Sequence, residues 1–201
     1  MIIKVCGMKY AENIRALDKL KPDMTGFIFH PSSPRFADAV PEYMPSSSLH
    51  VGVFVNSETE YILYKVREFG LNLVQLHGNE SPEQCRAIRN KGIDIIKTFS
   101  LKTDNADTIT EPYDGLCRYY LFDTPCAAYG GSGKTFDWTL TQSYHGKTPF
   151  LLSGGIRPGS LEQISSFRHP SFAGIDINSG FETAPGMKDT EAIYEFIKRL
   201  R

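Results

Sequence analysis

The chain has almost no net charge, no long apolar run and no cysteine pair at metal spacing, and each lack removes a class of function. Lys and Arg number 22 against 23 Asp and Glu, a formal charge of −1. So balanced a charge gives no reason to expect nucleic acid or an anionic membrane as partner. Any phosphate must be held by local groups. No segment approaches the ~20 apolar residues of a membrane span. The start, Met1-Ile2-Ile3-Lys4-Val5-Cys6-Gly7, lacks a charged leader followed by a signal-length apolar stretch. The expected compartment is the cytoplasm. Cys6, Cys85, Cys117 and Cys126 form no C-x-x-C and no zinc spacing. No metal is therefore expected, and the thiols should be free. Cys85 and Cys117 read as packing residues, because a buried free cysteine behaves as a small hydrophobe. No G-x-G-x-x-G turn follows the first apolar run, which counts against a dinucleotide-binding open sheet.

What is present begins with Asp123-Thr124 and the tract Gly130-Gly131-Ser132-Gly133-Lys134-Thr135-Phe136-Asp137-Trp138. The apolar run Tyr119-Tyr120-Leu121-Phe122 ends in an acid, a glycine-rich loop follows, and then a helix-like start. A parallel α/β enzyme presents a proton donor at the rim of its sheet in this way. The tract contains GSGKT, but a Walker A loop needs a glycine five positions before the one that precedes its lysine. Ala128 stands there, so the nucleotide-loop pattern fails.

Short apolar runs alternate with amphipathic stretches along all 201 residues, a length that suits one domain over 1–201. Strands are expected at Ile2–Cys6, Met24–Phe29, His50–Val55, Leu73–Leu76, Ile93–Thr98, Tyr119–Asp123, Phe150–Ser153 and Ala173–Ile177. Helices are clearest at Ala11–Leu20, Glu58–Phe69, Pro82–Lys91, Leu161–Phe167 and Thr190–Leu200. Ser81-Pro82-Glu83 reads as an N-cap with proline at the first helical position. Such alternation without a composition break argues for one compact parallel (β/α)₈ TIM barrel, with a doubly wound open sheet as the rival. The second and fifth helices must be short or irregular, and the proline-bearing stretch Arg35–Ser48 fits that.

Barrel enzymes collect active residues at the C-terminal ends of their strands, which turns the strand list into a site list. Cys6 ends the first strand and is a candidate nucleophile or base, or simply a packed thiol. Lys4 points the same way but into the barrel interior. Asp123 ends the sixth strand, where a carboxyl can work as a general acid. Arg35 follows a turn-rich segment and either clamps a carboxylate or phosphate through its fork or is a solvated surface arginine. His77 is a donor near the site or a structural histidine. Asp176 either lies near the substrate or only organises the eighth loop through its backbone. Gly154 and Gly155 after strand seven, with Asn178, Ser179 and Gly180 after strand eight, supply backbone N–H groups for a phosphate.

These residues carry a resemblance. Lys4-Val5-Cys6-Gly7, Gly26-Phe27-Ile28-Phe29 through Ser33-Pro34-Arg35, Val51-Gly52-Val53-Phe54-Val55-Asn56, Val74-Gln75-Leu76-His77-Gly78, Gly130–Trp138, Ser153-Gly154-Gly155, Asp176 through Gly180, and Pro185-Gly186 with Lys188-Asp189 recur in order and spacing. Along nearly its whole length the chain resembles the phosphoribosylanthranilate isomerases of tryptophan biosynthesis. The resemblance implies a (β/α)₈ barrel that performs an Amadori rearrangement of a small phosphorylated aminosugar, without cofactor or metal, as a monomer or homodimer. It makes Asp123 the general acid, Cys6 the general base, Arg35 the holder of the substrate carboxylate, and the loops after strands seven and eight the phosphate site. Asn178 stands where the family more often has serine, and His30 where an aromatic such as tyrosine is common. The histidine-pathway aminoaldose isomerase is the rival enzyme, but that family uses an aspartate where Cys6 stands. A non-catalytic phosphosugar-binding barrel is the rival of another class, against which Cys6, Asp123 and Arg35 together argue.

Overall fold

The computed structural model describes residues 1–103, 105–123 and 137–201. Strands β1 (Ile2–Val5), β2 (Met24–Ile28), β3 (Leu49–Phe54), β4 (Leu73–Leu76), β5 (Asp94–Ser100), β6 (Tyr119–Asp123), β7 (Phe150–Leu152) and β8 (Phe172–Ile177) pair in chain order. β1 pairs in parallel with both β2 and β8, so the sheet closes into a barrel and the open-sheet alternative falls. Helices α1 (Ala11–Asp18), α2 (Thr59–Phe69), α3 (Pro82–Arg89), α4 (Ala106–Thr110), α5 (Leu161–Ser166) and α6 (Thr190–Leu200) alternate with the strands. A short antiparallel hairpin, β9 (Glu182–Ala184) and β10 (Met187–Lys188), sits between β8 and α6.

The expected elements are present with ends moved by a residue or two. β1 stops at Val5, one short of Cys6, yet the Cys6 N–H still donates to the Ile177 carbonyl at 2.9 Å. Cys6 is thus fixed at the rim as firmly as a strand residue. α3 has the anticipated start, with Ser81 Oγ accepting from Gln84 N. No helix fills residues 30–48. Asp18 instead pins that stretch, accepting from Tyr43 Oη at 2.6 Å, Ser46 N at 3.0 Å and Ser47 Oγ at 2.6 Å. α4 is a five-residue helix, as anticipated for the fifth position. The helix-like start after the sixth strand is a 3-10 segment, Trp138–Ser143. The reason is chemical: Thr141 and Ser143 hydroxyls donate back to the Trp138 and Leu140 carbonyls, which diverts the backbone from regular helix bonding. The Pro185-Gly186 hairpin was not among the expected elements. Proline fixing φ before a glycine at φ +81 is the turn that makes it.

Among the described residues, buried apolar side chains fall into two clusters. The larger fills the space between barrel and helices. The smaller lies inside the barrel and joins Met24, Val51, Leu73, Ile96, Leu121 and Leu151. Side chains two apart on a strand share a face, so Lys4, Gln75, Thr98 and Asp123 also face the lumen, toward the C-terminal rim.

Candidate active site

Cys6 is 3% exposed. Its sulfur has room because β2 carries Gly26: a Cβ there would stand 2.9 Å from Sγ. Lys4, wholly buried, donates from Nζ to Asp176 Oδ1 at 2.9 Å. The Asp176 side chain therefore makes a buried ion pair, and its work is not confined to the backbone of the eighth loop. Burial works against the Lys4 ammonium, but Asp176 and Cys6 more than hold its proton on. Burial pushes the Cys6 thiol above the ordinary thiol range, with Lys4 and Lys188 opposing and Asp176 assisting. A thiol so placed is a weak acid whose conjugate thiolate is a strong base.

Asp123 ends β6, and its Oδ2 lies 3.4 Å from His77 Nε2. The other ring nitrogen of His77, Nδ1, is 2.9 Å from Gln75 Nε2, which also donates to Thr98 Oγ1 at 3.2 Å. The loop that carries His77 is fastened from behind. Glu80 accepts from the N–H groups of Asn56 and Gly78 at 2.8 and 2.9 Å, and Lys97 Nζ donates to Gly78 O at 2.8 Å and Glu80 Oε2 at 3.0 Å. Asp176 interacts electrostatically with both Asp123 and His77, as well as with Lys4 and Cys6.

Arg35 is buried and its fork is already filled by Glu182 of the hairpin: Nε donates to Oε1 at 2.9 Å, and Nη2 to Oε2 at 2.6 Å. The Nη1 edge has no partner among the described residues. Glu182 also takes Lys188 Nζ at 2.5 Å, and Lys188 donates onward to Asn178 Oδ1 at 2.7 Å. Burial alone would raise the Glu182 carboxyl, but Arg35 and Lys188 hold it below the usual carboxylate range. Burial lowers Lys188, with Glu182 resisting. The Asn178 side-chain oxygen is thus turned to Lys188.

Gly154 and Gly155 leave β7 at φ +85 and +70, a conformation that favours glycine. After β8 the segment Ser179–Phe181 forms one 3-10 turn. A Cβ on Gly180 would collide with the Ile156 carbonyl, so glycine is what lets the two loops meet. Ser179 and Gly180 are exposed and Gly154 and Gly155 half-buried, so an anion can reach these loops.

The rim therefore gathers Cys6, Arg35, His77, Asp123, Asp176 and the two glycine loops from six strands. The glycine-rich tract after Asp123, with Cys126, lies outside the described residues. Glu182, Lys188 and Gln75 were missed as site residues. The Pro185-Gly186 turn could have announced the hairpin that carries the first two. Gln75, two residues before His77 on a strand, could have been placed in the lumen by parity alone.

Comparison with known proteins shows the family of the chain. The family described as N-(5'phosphoribosyl)anthranilate (PRA) isomerase matches residues 3–199. The N-(5'-phosphoribosyl)anthranilate isomerase of Phocaeicola vulgatus is 54% identical over 201 residues, covering 100% of this chain and 98% of the relative. The crystal structure of phosphoribosyl anthranilate isomerase from Thermus thermophilus superposes with a TM-score of 0.85 at 28% identity, covering 100% of both chains. A phosphoribosyl anthranilate isomerase in complex with reduced 1-(o-carboxyphenylamino)-1-deoxyribulose 5-phosphate superposes with a TM-score of 0.78 at 30% identity, covering 100% of this chain and 98% of that one. This chain belongs to the N-(5'-phosphoribosyl)anthranilate isomerase family.

Proposed function

We propose that the chain isomerises N-(5'-phosphoribosyl)anthranilate to 1-(2-carboxyphenylamino)-1-deoxyribulose 5-phosphate, a step of tryptophan biosynthesis. The observation that carries the reading is a buried thiol, Cys6, just past β1 and a carboxylate, Asp123, at the end of β6 of one closed barrel, in a chain 54% identical to a relative of that name.

In this reading Asp123 protonates the ribose ring oxygen. The C1′–O bond breaks, its electrons stay on the oxygen as a new hydroxyl, and the nitrogen lone pair forms the C1′=N bond of a Schiff base. Cys6, as thiolate, takes the proton from C2′. The C2′–H electrons become the C1′=C2′ bond of an enolamine and the nitrogen regains its pair. Loss of the O2′ proton and gain of a proton at C1′ then give the ketone. Only protons move between substrate and protein, so an acid and a base suffice. Lys4 and Lys188 oppose the burial that raises the thiol, and so favour the thiolate that this step needs. Arg35 offers its Nη1 edge to the anthranilate carboxylate. The N–H groups of Gly154, Gly155, Ser179 and Gly180 hold the phosphate, whose binding energy orients the sugar far from the reacting carbons.

The test is loss of anthranilate-type fluorescence when the pure protein meets freshly made substrate in the presence of a chelator. Decay faster than uncatalysed hydrolysis, with the deoxyribulose product formed, is the expected result. Decay at the uncatalysed rate would overturn the reading.

A further inference from the structure

Gln75 is 1% exposed and its amide is oriented by its neighbours. Nε2 faces two groups, His77 Nδ1 at 2.9 Å and Thr98 Oγ1 at 3.2 Å, while Oε1 is buried with no partner among the described residues. An amide nitrogen only donates, and it has two hydrogens for these two contacts. The reversed amide would satisfy the oxygen but bury two unmatched N–H donors in place of one unmatched carbonyl oxygen. Each buried orphan loses its hydration without return, so the observed orientation, with one orphan in place of two, is the cheaper one. It has a consequence one bond further on. If Nδ1 accepts from Gln75, neutral His77 carries its hydrogen on Nε2, and that N–H is the atom 3.4 Å from Asp123 Oδ2.

We propose that Gln75 is a positioning residue that selects the Nε2–H tautomer of His77, so that the imidazole presents a donor, not a lone pair, to Asp123. The proposal deepens the isomerase reading and rests on it for its catalytic consequence. When Asp123 gives its proton to the ring oxygen, the carboxylate left behind meets a hydrogen-bond donor already in place. The opposite tautomer would face that new charge with a lone pair. Thr98 cannot make the choice by itself, because its hydroxyl both donates and accepts and stands 3.5 Å from Nδ1. The backbone of His77 is held independently of Gln75, its N–H donating to the Phe54 carbonyl at 2.8 Å. Changing Gln75 therefore alters the ring's proton more than its place.

The test is a long-range proton–nitrogen correlation spectrum of the full chain with ¹⁵N-labelled histidine, taken near neutral pH on the wild type, Gln75→Met and Gln75→Glu. The signals of His77 are identified by their loss in His77→Gln. Wild type is expected to show Nε2–H. Gln75→Met removes the donor at similar volume and should let the Nδ1–H form appear. Gln75→Glu, an acceptor of the same shape, should drive the ring to Nδ1–H or to the doubly protonated form. In either variant kcat should fall on the order of tenfold or more, since a wrongly protonated imidazole damages the chemical step while leaving the geometry in place. KM should stay within about twofold. Nδ1–H in the wild type, an unchanged tautomer in the variants, or undiminished kcat would overturn the proposal. A wild type that shows Nε2–H but does not turn over substrate would overturn the isomerase reading instead, because the spectrum needs no activity. Gln75→Met carries the test if the buried charge of Gln75→Glu prevents folding.

Discussion

The lower and upper halves of the barrel lumen are built from the same strands and differ in every other respect. Below lie Met24, Val51, Leu73, Ile96, Leu121 and Leu151, none more than 2% exposed. Two residues further along several of the same strands stand Gln75, Thr98 and Asp123, joined by Lys4 and Asp176. Leu121 and Asp123 share one strand and one face, and only their height in the barrel separates them. The lower layer stabilises by burial, about 1.5–3 kcal/mol for each large side chain. The upper layer sacrifices solvation of its charges and is tolerable because most of its groups pair with one another: Lys4 with Asp176, Gln75 Nε2 with His77 and Thr98, His77 with Asp123; Gln75 Oε1 has no partner among the described residues. A packed floor lets a polar, costly ceiling be held at fixed distances, the division expected of barrel enzymes.

The division can be broken from either side. The largest effect is expected at Asp123→Asn. It should lower kcat by about 10²–10⁴-fold, the usual worth of a general acid, with little change in the denaturant midpoint. Similar activity with asparagine in place would remove Asp123 from the chemistry. Lys4→Met alone strands a buried carboxylate and should cost about 3–5 kcal/mol of stability. Adding Asp176→Leu should restore most of that stability while leaving the enzyme inactive. Recovery of activity in the double variant would show that the pair is structural only. Leu121→Ala, two residues below Asp123, should lose about 2–5 kcal/mol in urea unfolding yet keep near-normal kcat per folded molecule. A large kcat loss there would mean that the two layers are coupled.

The smallest effect is in acid. Glu182 is held below the usual carboxylate range against its own burial, and Asp18 likewise against burial by bonds from Ser47, Tyr43 and Ser46. A depressed carboxyl contributes stability that is complete above the unfolded value, about pH 4. As pH falls, the unfolded chain takes the proton first, so the contribution fades until the folded value is passed. Stability should therefore hold from neutrality to about pH 5 and fall below pH 4. Glu182→Gln should make that fall shallower, and an unchanged slope would place the acid sensitivity elsewhere.

Strand order, barrel class and most rim residues were legible because they depend on local regularities. Apolar runs such as Leu73–Leu76 and Tyr119–Asp123 mark strands by composition, and the residue after each run is placed at the rim by the architecture alone. Cys6, His77, Asp123 and the glycines after β7 and β8 all come from that rule. The helix after β6 was less legible, because Thr141 and Ser143 bond their own backbone and no periodicity announces it. Arg35 was found, but its fork is filled by a residue 147 positions away. No local pattern ties Arg35 to Glu182, or Lys4 to Asp176 across 172 positions.

By itself, then, the sequence determined which residues stand at the ends of strands in a parallel barrel, since periodicity and turn residues act over a few positions at a time. Closure of the barrel decided the rest: that Lys4 and Asp176 share one buried proton-bearing contact, that Glu182 fills the fork of Arg35, and that Gln75 sets its amide against His77. Those pairings depend on which strands become neighbours, and on groups that lose water together and must satisfy one another where no solvent can.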